Sequence, residues 1–147
     1  MNQFQSIHDY EEFIYTIAVT RPSITGSTLA VIRRGKGSAI LRGELRFAGG
    51  YRLLVQERLA IENSTVIIES YGYEIWGISG KLAWYDSQPH PNDPILARTL
   101  PHHKHIPPDL KHNRIPAVHI YFTQPNLPVL IEEIEELLSS NGRLIVP

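Results

Sequence analysis

The 147-residue chain has no cysteine, no long apolar run and nothing like a signal peptide at its start. The absence of cysteine excludes disulfides, thiolate nucleophiles and cysteine-ligated zinc, which leaves His, Asp and Glu as candidate metal ligands. No apolar stretch approaches the ~20 residues that span a bilayer, and Met1–Ser6 has neither a basic start nor an apolar core. We therefore expect a soluble, cytoplasmic protein without a membrane segment.

The chain also has little net charge, −1 at neutral pH, which by itself predicts no polyanionic partner. The charges are unevenly distributed, because residues 21–58 contain eight Arg or Lys residues and only two acidic ones. Residues 9–12 and 132–136 are acidic instead. A basic sheet face is therefore possible, although pairing of these arginines with acidic helices is the interpretation that charge alone favours.

The length and the hydrophobic content of 42% predict one domain, residues 1–147. Apolar residues at helical spacing predict a helix over about residues 9–19, capped by Asp9. Runs rich in β-branched and aromatic residues, separated by glycines or polar turns, predict five strands between about residues 28 and 86. A second helical pattern predicts a helix over about residues 127–139.

We expect Asn126 to cap this second helix and Asn141-Gly142 to end it. The predicted fold class is α+β, with a five-stranded antiparallel meander sheet packed by an N-terminal and a C-terminal helix. Alternation along the third strand places Glu57 on the same face as Leu53, Val55 and Leu59. A buried carboxylate needs a partner, which could be an arginine on a neighbouring strand, or Glu57 could be an acid of raised pKa near a cleft.

Residues 87–125 have no hydrophobic periodicity, are rich in proline and contain six of the seven histidines, which predicts a long His/Pro-rich loop. Within it, His102-His103-Lys104-His105 lies between Pro101 and Pro107-Pro108. The prolines prevent more than about one helical turn, so we expect an extended segment. In such a segment His103 and His105 point one way, and His102 and Lys104 point the other.

Three interpretations fit this segment together with Asp86 and His90, which follow the end of the fifth strand. The first is metal-independent RNA cleavage, in which histidines transfer protons and a cation stabilises the charged phosphate. The second is a divalent metal site, with histidines and Asp86 as ligands, although no established ligand spacing is matched. The third is a histidine-rich binding loop without catalysis.

The same residues resemble the TumE-like family of small bacterial toxin-antitoxin proteins. The resemblance is strongest in Trp84-Tyr85-Asp86 through Pro89-His90-Pro91 and in Pro101-His102-His103-Lys104-His105. It extends over roughly residues 28–138, through Arg42-Gly43-Glu44-Leu45, Val55-Gln56-Glu57-Arg58, Tyr71-x-Tyr73 and the helix after Pro128. It implies a toxin that acts beside a cognate helix-turn-helix antitoxin, with an expected activity on RNA. The Pro-rich stretch from Pro107 to Asn126 departs from the family pattern.

We therefore predict a toxin of a type II toxin-antitoxin system that acts as a metal-independent endoribonuclease. A metal-dependent nuclease and a non-catalytic binding or regulatory protein are the alternatives. The predicted catalytic residues are His102, His103, His105, Lys104, Asp86 and Glu57. The predicted substrate-binding residues are Arg58, Tyr71, Tyr73 and His90. We assign no cofactor or metal, and expect an antitoxin and RNA as partners, with a homo-oligomer also possible.

Overall fold

The computed structural model describes residues 6–89, 92–96 and 101–145. These residues form an α+β fold with two α-helices and an antiparallel sheet of eight strands. The helices are α1 (Ile7–Thr20) and α2 (Leu127–Ile145). The strands are β1 (Ile24–Ser27), β2 (Ala30–Arg34), β3 (Ser38–Phe47), β4 (Arg52–Glu62), β5 (Thr65–Gly77), β6 (Gly80–Asp86), β7 (His103–His105) and β8 (Arg114–Pro116). The predicted fold class is confirmed.

The predicted count of five strands is wrong, because three short strands join the meander of β2 to β6. Strand β1 pairs with β3, whereas β7 pairs with β6 and β8 pairs with β7. Strands of three or four residues are too short to show a period-two pattern, so they escape sequence analysis. The predicted loop over residues 87–125 therefore contains two strands of the sheet, and also a short 3-10 helix, Pro94–Leu96.

Gly43, at the centre of β3, allows the chain between β1 and β2 to approach β3 closely. Its φ is 136°, a conformation that residues with a side chain rarely adopt. A Cβ atom at this position would lie 2.5 Å from the carbonyl oxygen of Thr28. Both the backbone conformation and the close approach therefore require glycine here.

Both helices pack on one face of the sheet, which we call the helix face. The core contains Tyr10, Ile14 and Ile17 from α1, Leu127, Leu130, Ile131 and Ile134 from α2, and the inward side chains of β3, β4, β5 and β6. Alternation along β3 and β4 agrees with the sequence, since Leu41, Leu45, Leu53 and Glu57 are all buried. The opposite face, which we call the open face, is covered by neither helix.

The ends of both helices differ from the prediction. Helix α1 begins at Ile7, because the Ser6 side chain accepts a hydrogen bond from the Asp9 amide (3.0 Å) and caps the first turn. Helix α2 continues through Asn141 and Gly142 to Ile145. Glycine costs only about 1 kcal/mol inside a helix, so it does not by itself end one. Asn126 turns its side chain to Tyr121 and Tyr73 instead of capping α2.

Candidate functional site

A buried cluster of one carboxylate and two imidazoles lies on the open-face side of strands β6 and β7, near the β8 edge of the sheet. Asp86 is the last residue of β6 and lies directly opposite His103 of β7, while Trp84 lies opposite His105. Directly opposite residues of an antiparallel pair share a face. His103 Nε2 lies 2.9 Å from one oxygen of Asp86, and His105 Nε2 lies 3.2 Å from the other. The two Nε2 atoms are 3.1 Å apart.

The other ring nitrogen of each histidine contacts a backbone carbonyl. His103 Nδ1 is 2.9 Å from the carbonyl oxygen of Pro101, and His105 Nδ1 is 2.5 Å from that of Leu110. A carbonyl oxygen only accepts hydrogen bonds, so each Nδ1 carries a proton and donates it. The loop that contains Leu110 therefore fixes the orientation and the tautomer of His105.

Burial and mutual contact shift the pKa values of these three groups. Burial acts to raise the pKa of Asp86, but hydrogen bonds from His103 and from the Gln88 amide, with the two imidazole charges, lower it overall. Burial is the largest single effect on the pKa of His103 and acts to lower it, but the hydrogen bonds to Asp86 and the Pro101 carbonyl, with the Asp86 charge, together raise it. For His105 burial dominates and lowers the pKa. The cluster therefore contains histidines of unequal basicity.

Two neighbours of this cluster were not among the predicted site residues. The Trp84 ring stacks on His105, with ring centres 4.2 Å apart, and fixes that imidazole from the open face. Arg114 of β8 lies opposite His105, and its charge acts to lower the pKa of His103. Its buried Nε atom has no hydrogen-bond partner among the described residues. Trp84 could have been found from alternation, since it lies two residues before Asp86, whereas Arg114 has no comparable signal.

A groove of about 800 Å³ runs along the open face to the cluster. Its lining includes Gln56 and Arg58 of β4, Glu74 of β5, and Trp84 and Asp86 of β6. Arg58 is exposed and belongs to a strand two positions from β6, which corresponds to about 10 Å at the usual strand spacing. The predicted substrate ligand Arg58 and the predicted carboxylate Asp86 therefore share one groove without touching.

The predicted site residues His102, Tyr71 and Tyr73 lie on the helix face. The Tyr71 hydroxyl is 2.7 Å from His102 Nδ1, and the two rings stack with centres 5.8 Å apart. Burial, followed by the charge of His103, lowers the pKa of His102. Tyr71 and Tyr73 are 5% and 0% exposed, so neither offers a ring face to a nucleotide base in this structure.

Lys104 also lies on the helix face, where it connects β7 to α2. Its Nζ is 2.9 Å from Glu133 and lies 5.2 Å from the centre of the Tyr85 ring. The Tyr85 hydroxyl donates to the other oxygen of Glu133. As the extended segment predicts, His103 and His105 point one way and Lys104 the other. The structure therefore does not bring Lys104 together with these two histidines.

Glu57 is fully buried on the helix face and accepts hydrogen bonds from the hydroxyls of Tyr10 and Tyr73. Burial raises the pKa of Glu57 to about 7, although both hydrogen bonds act to lower it. Its partners are two tyrosines, rather than the arginine considered from sequence, and Asn126 donates to the Tyr73 hydroxyl (3.0 Å). The predicted residue His90 lies outside the described residues.

The fold and the buried cluster together define a small α+β protein with a candidate active centre at the edge of its sheet. A family model described as Toxin TumE matches residues 13–138, so the chain belongs to the TumE toxin family. This finding confirms the resemblance found in the sequence. Comparison with curated proteins and with solved structures finds no match.

Membership of a toxin family implies an antitoxin partner. Within the part of the chain that the structure describes, neither helix is both long and apolar enough to cross a membrane.

Proposed function

We propose that this TumE-family toxin acts on RNA and cleaves its phosphodiester backbone at the cluster of Asp86, His103 and His105. The proposal rests on the position of Asp86, which belongs to the buried cluster and also lines the open-face groove. A strand of RNA in that groove would therefore meet groups that can transfer protons or bind a cation.

The open face has the chemistry that single-stranded RNA requires. Trp76 and Trp84, the only two tryptophans of the chain, are both half-buried there. Arg52 lies over the Trp76 ring, and Lys81 lies over both rings at 5.5 and 5.0 Å from their centres. Aromatic rings stack with unpaired bases, and arginines and lysines bind phosphates. Arg42 and Arg58 add exposed positive charge to the same face.

In the proposed reaction the ribose 2′-oxygen attacks phosphorus and the bond from phosphorus to the 5′-oxygen breaks. The 2′-hydroxyl loses its proton to a base and the leaving 5′-oxygen gains one, which gives a 2′,3′-cyclic phosphate and a 5′-hydroxyl. The Arg114 guanidinium, beside His103, is the group that we propose to stabilise the charge on the phosphate.

This scheme changes the roles predicted from sequence. It retains Asp86, His103 and His105 and uses Arg58 as a ligand for a neighbouring phosphate. It does not use His102, Lys104 or Glu57, because their side chains contact Tyr71, Glu133 and two tyrosines of the helix face. The partner that we propose is a protein antitoxin with a helix-turn-helix domain, as the family resemblance implies.

The test compares the wild type with Asp86→Asn, a change that removes the charge and keeps the shape. Each protein is induced in a bacterial host and also purified and incubated with labelled RNA. We expect the wild type to arrest growth and cleave RNA, and Asp86→Asn to do neither. Asp109→Asn is the matched control, because Asp109 also pairs with a histidine, His112 at 2.9 Å, but is exposed.

An RNA in which a single 2′-hydroxyl is replaced by hydrogen tests the nucleophile, because cleavage at that position should disappear. The proposal fails if purified wild-type protein leaves RNA intact. It also fails if Asp86→Asn cleaves as fast as the wild type. A wild type that binds its antitoxin but leaves RNA intact would favour the non-catalytic binding protein instead.

A further inference from the structure

The geometry points to a divalent metal site formed by Asp86, His103 and His105. Each of the three residues offers one ligand atom, and these atoms lie within 4.8 Å of one another. All three residues are buried, so the site is held by the sheet and not by an exposed loop. Binding of the ion does not depend on the proposed function, whereas its part in RNA cleavage rests on that proposal.

The hydrogen bonds of the two imidazoles leave the cluster short of protons. Each neutral histidine has one N–H group, and both histidines use it at Nδ1 for a backbone carbonyl. While both imidazoles are neutral, both Nε2 atoms therefore present lone pairs to each other and to the Asp86 carboxylate. These four electron-rich atoms, two Nε2 nitrogens and the two Asp86 oxygens, each lie within 3.2 Å of a neighbour and repel one another unless a positive charge lies between them.

A single proton does not satisfy all these contacts. One proton on His103 Nε2 satisfies the contact of 2.9 Å with Asp86 but leaves the 3.2 Å contact of His105 Nε2 with the same carboxylate without a hydrogen. A single divalent ion can bind both Nε2 atoms and the Asp86 carboxylate at once.

The spacing of the three atoms also suits a transition-metal ion. Bonds of about 2.0–2.1 Å from zinc to nitrogen or oxygen place neighbouring ligands roughly 3.3 Å apart in a tetrahedron and roughly 2.9 Å apart in an octahedron. The two Nε2 atoms are 3.1 Å apart, and His103 and His105 lie 2.9 and 3.2 Å from one Asp86 oxygen each, which is close to these values. Little movement of the side chains is needed to accept the ion.

The surroundings of the cluster match those of histidine ligands in metal sites. A metal-bound histidine usually donates its second N–H to a carbonyl or carboxylate, which orients the ring. Pro101 and Leu110 provide such carbonyls, and Trp84 stacks on the His105 ring. The Gln88 amide donates to Asp86 (3.0 Å), so the carboxylate is oriented as well.

The chemistry of the three ligands favours one class of metal ion. Two imidazoles and one carboxylate suit Zn²⁺, Fe²⁺ or Mn²⁺, whereas Ca²⁺ and Mg²⁺ prefer oxygen ligands. Three protein ligands leave coordination positions for water or substrate, as in catalytic zinc sites. The nearby Arg114 charge opposes a bare cation but favours an anionic group such as phosphate as a further ligand. Such an ion would polarise the phosphate that RNA presents to Asp86 from the groove.

The experiment measures metal binding directly, without RNA. The purified full-length chain is treated with a chelator and then titrated with Zn²⁺ by calorimetry and with Co²⁺ by visible absorption. We expect one ion per chain, and an affinity at least about tenfold lower in Asp86→Asn and in His105→Gln. The matched controls are Asp109→Asn and His112→Gln, which change an exposed pair of the same residue types and should bind like the wild type.

The wild type alone provides a second measurement if a variant does not fold, because a specifically bound ion raises the melting temperature of the wild type. The inference is overturned if the wild type shows neither saturable binding nor this increase. Equal binding by the wild type and a folded cluster variant would also overturn it.

Assays of RNA cleavage separate this inference from the proposed function. Full cleavage by the metal-free protein would support the proposed ribonuclease activity and would overturn the role of the ion in it. A specifically bound ion in a protein that does not cleave RNA would support the metal site and overturn the ribonuclease.

Discussion

The two faces of the sheet each bury one carboxylate, and the two carboxylates have different partners. Glu57 on the helix face accepts hydrogen bonds from the hydroxyls of Tyr10 and Tyr73. Asp86 on the open-face side meets the Nε2 atoms of His103 and His105. A tyrosine hydroxyl donates a hydrogen bond to a carboxylate. A neutral imidazole that donates its one N–H to another group can present only a lone pair to the carboxylate.

The difference shows why one of these clusters is structural and the other is our candidate centre. The Glu57 cluster is completed by protein groups alone, with Asn126 donating to Tyr73 from the start of α2. The Asp86 cluster brings two imidazole Nε2 atoms to one carboxylate, and it lies at the end of a groove. Its ligand atoms and its position at the groove make it the better candidate for a functional site.

The largest expected effect comes from changing one partner in each cluster. We expect His105→Gln to slow RNA cleavage by at least about 100-fold, because the histidine belongs to the cluster at which we propose that cleavage occurs. Tyr73→Phe should reduce cleavage per folded molecule by less than about tenfold, because it removes a buried hydrogen bond on the helix face. Single-turnover cleavage of a labelled RNA measures both. Similar losses of cleavage in the two variants would show that the two clusters do not differ in their role in the reaction.

The second effect is on stability and its pH dependence. The pKa of Glu57 is about 7 in the folded protein and near 4.5 when unfolded, so the folded state holds the proton more tightly. Its contribution to the free energy of unfolding is therefore present below about pH 4.5 and declines as pH rises to about 7. The decline is roughly 3 kcal/mol at most for a shift of this size.

Glu57→Gln should remove this decline, and urea denaturation of both proteins between pH 5 and pH 8 measures it. The difference between the two free energies is the quantity to follow, because other groups titrate in both proteins. A difference that does not change with pH would show that Glu57 has an ordinary pKa.

The third effect concerns the open face as an RNA surface. Trp76→Leu should weaken binding of single-stranded RNA by roughly 5- to 150-fold, which corresponds to about 1–3 kcal/mol for one stacked base. Tyr121→Leu is the control, because Tyr121 is an exposed aromatic residue outside the sheet. Fluorescence anisotropy with a labelled oligonucleotide measures both affinities. Equal affinities in the two variants would remove Trp76 from the interface.

The smallest effect is expected at Lys104. Its ion pair with Glu133 is partly exposed, so Lys104→Gln should lower the free energy of unfolding by only about 0.5 kcal/mol. RNA cleavage should be unchanged, because Lys104 points to the helix face. A 100-fold loss of cleavage at unchanged stability would support the catalytic role that the sequence predicted for Lys104.

Sequence patterns predicted the features that depend on local alternation. Period two along β3 and β4 placed Glu57 among core residues, and the extended His102–His105 segment separated His103 and His105 from Lys104. The same period shows that Trp84 shares a face with Asp86. These features follow from the backbone geometry of one strand and need no knowledge of its neighbours.

The features that depend on distant pairing could not be predicted. Tyr10 lies 47 residues from Glu57 in sequence, and no local pattern indicates that the two meet. The cluster itself exists because a three-residue strand, β7, pairs with β6 so that His103 lies opposite Asp86. Its metal ligands come from two adjacent strands, which explains why no familiar ligand spacing appears in the sequence.

The most direct test of the central claim is a nuclear magnetic resonance measurement of the imidazole nitrogens. In the wild type with one equivalent of Zn²⁺, we expect His103 and His105 to keep protons on Nδ1, and both Nε2 resonances to shift on metal binding. Nε2 resonances of His103 and His105 that do not respond to Zn²⁺ would contradict the account.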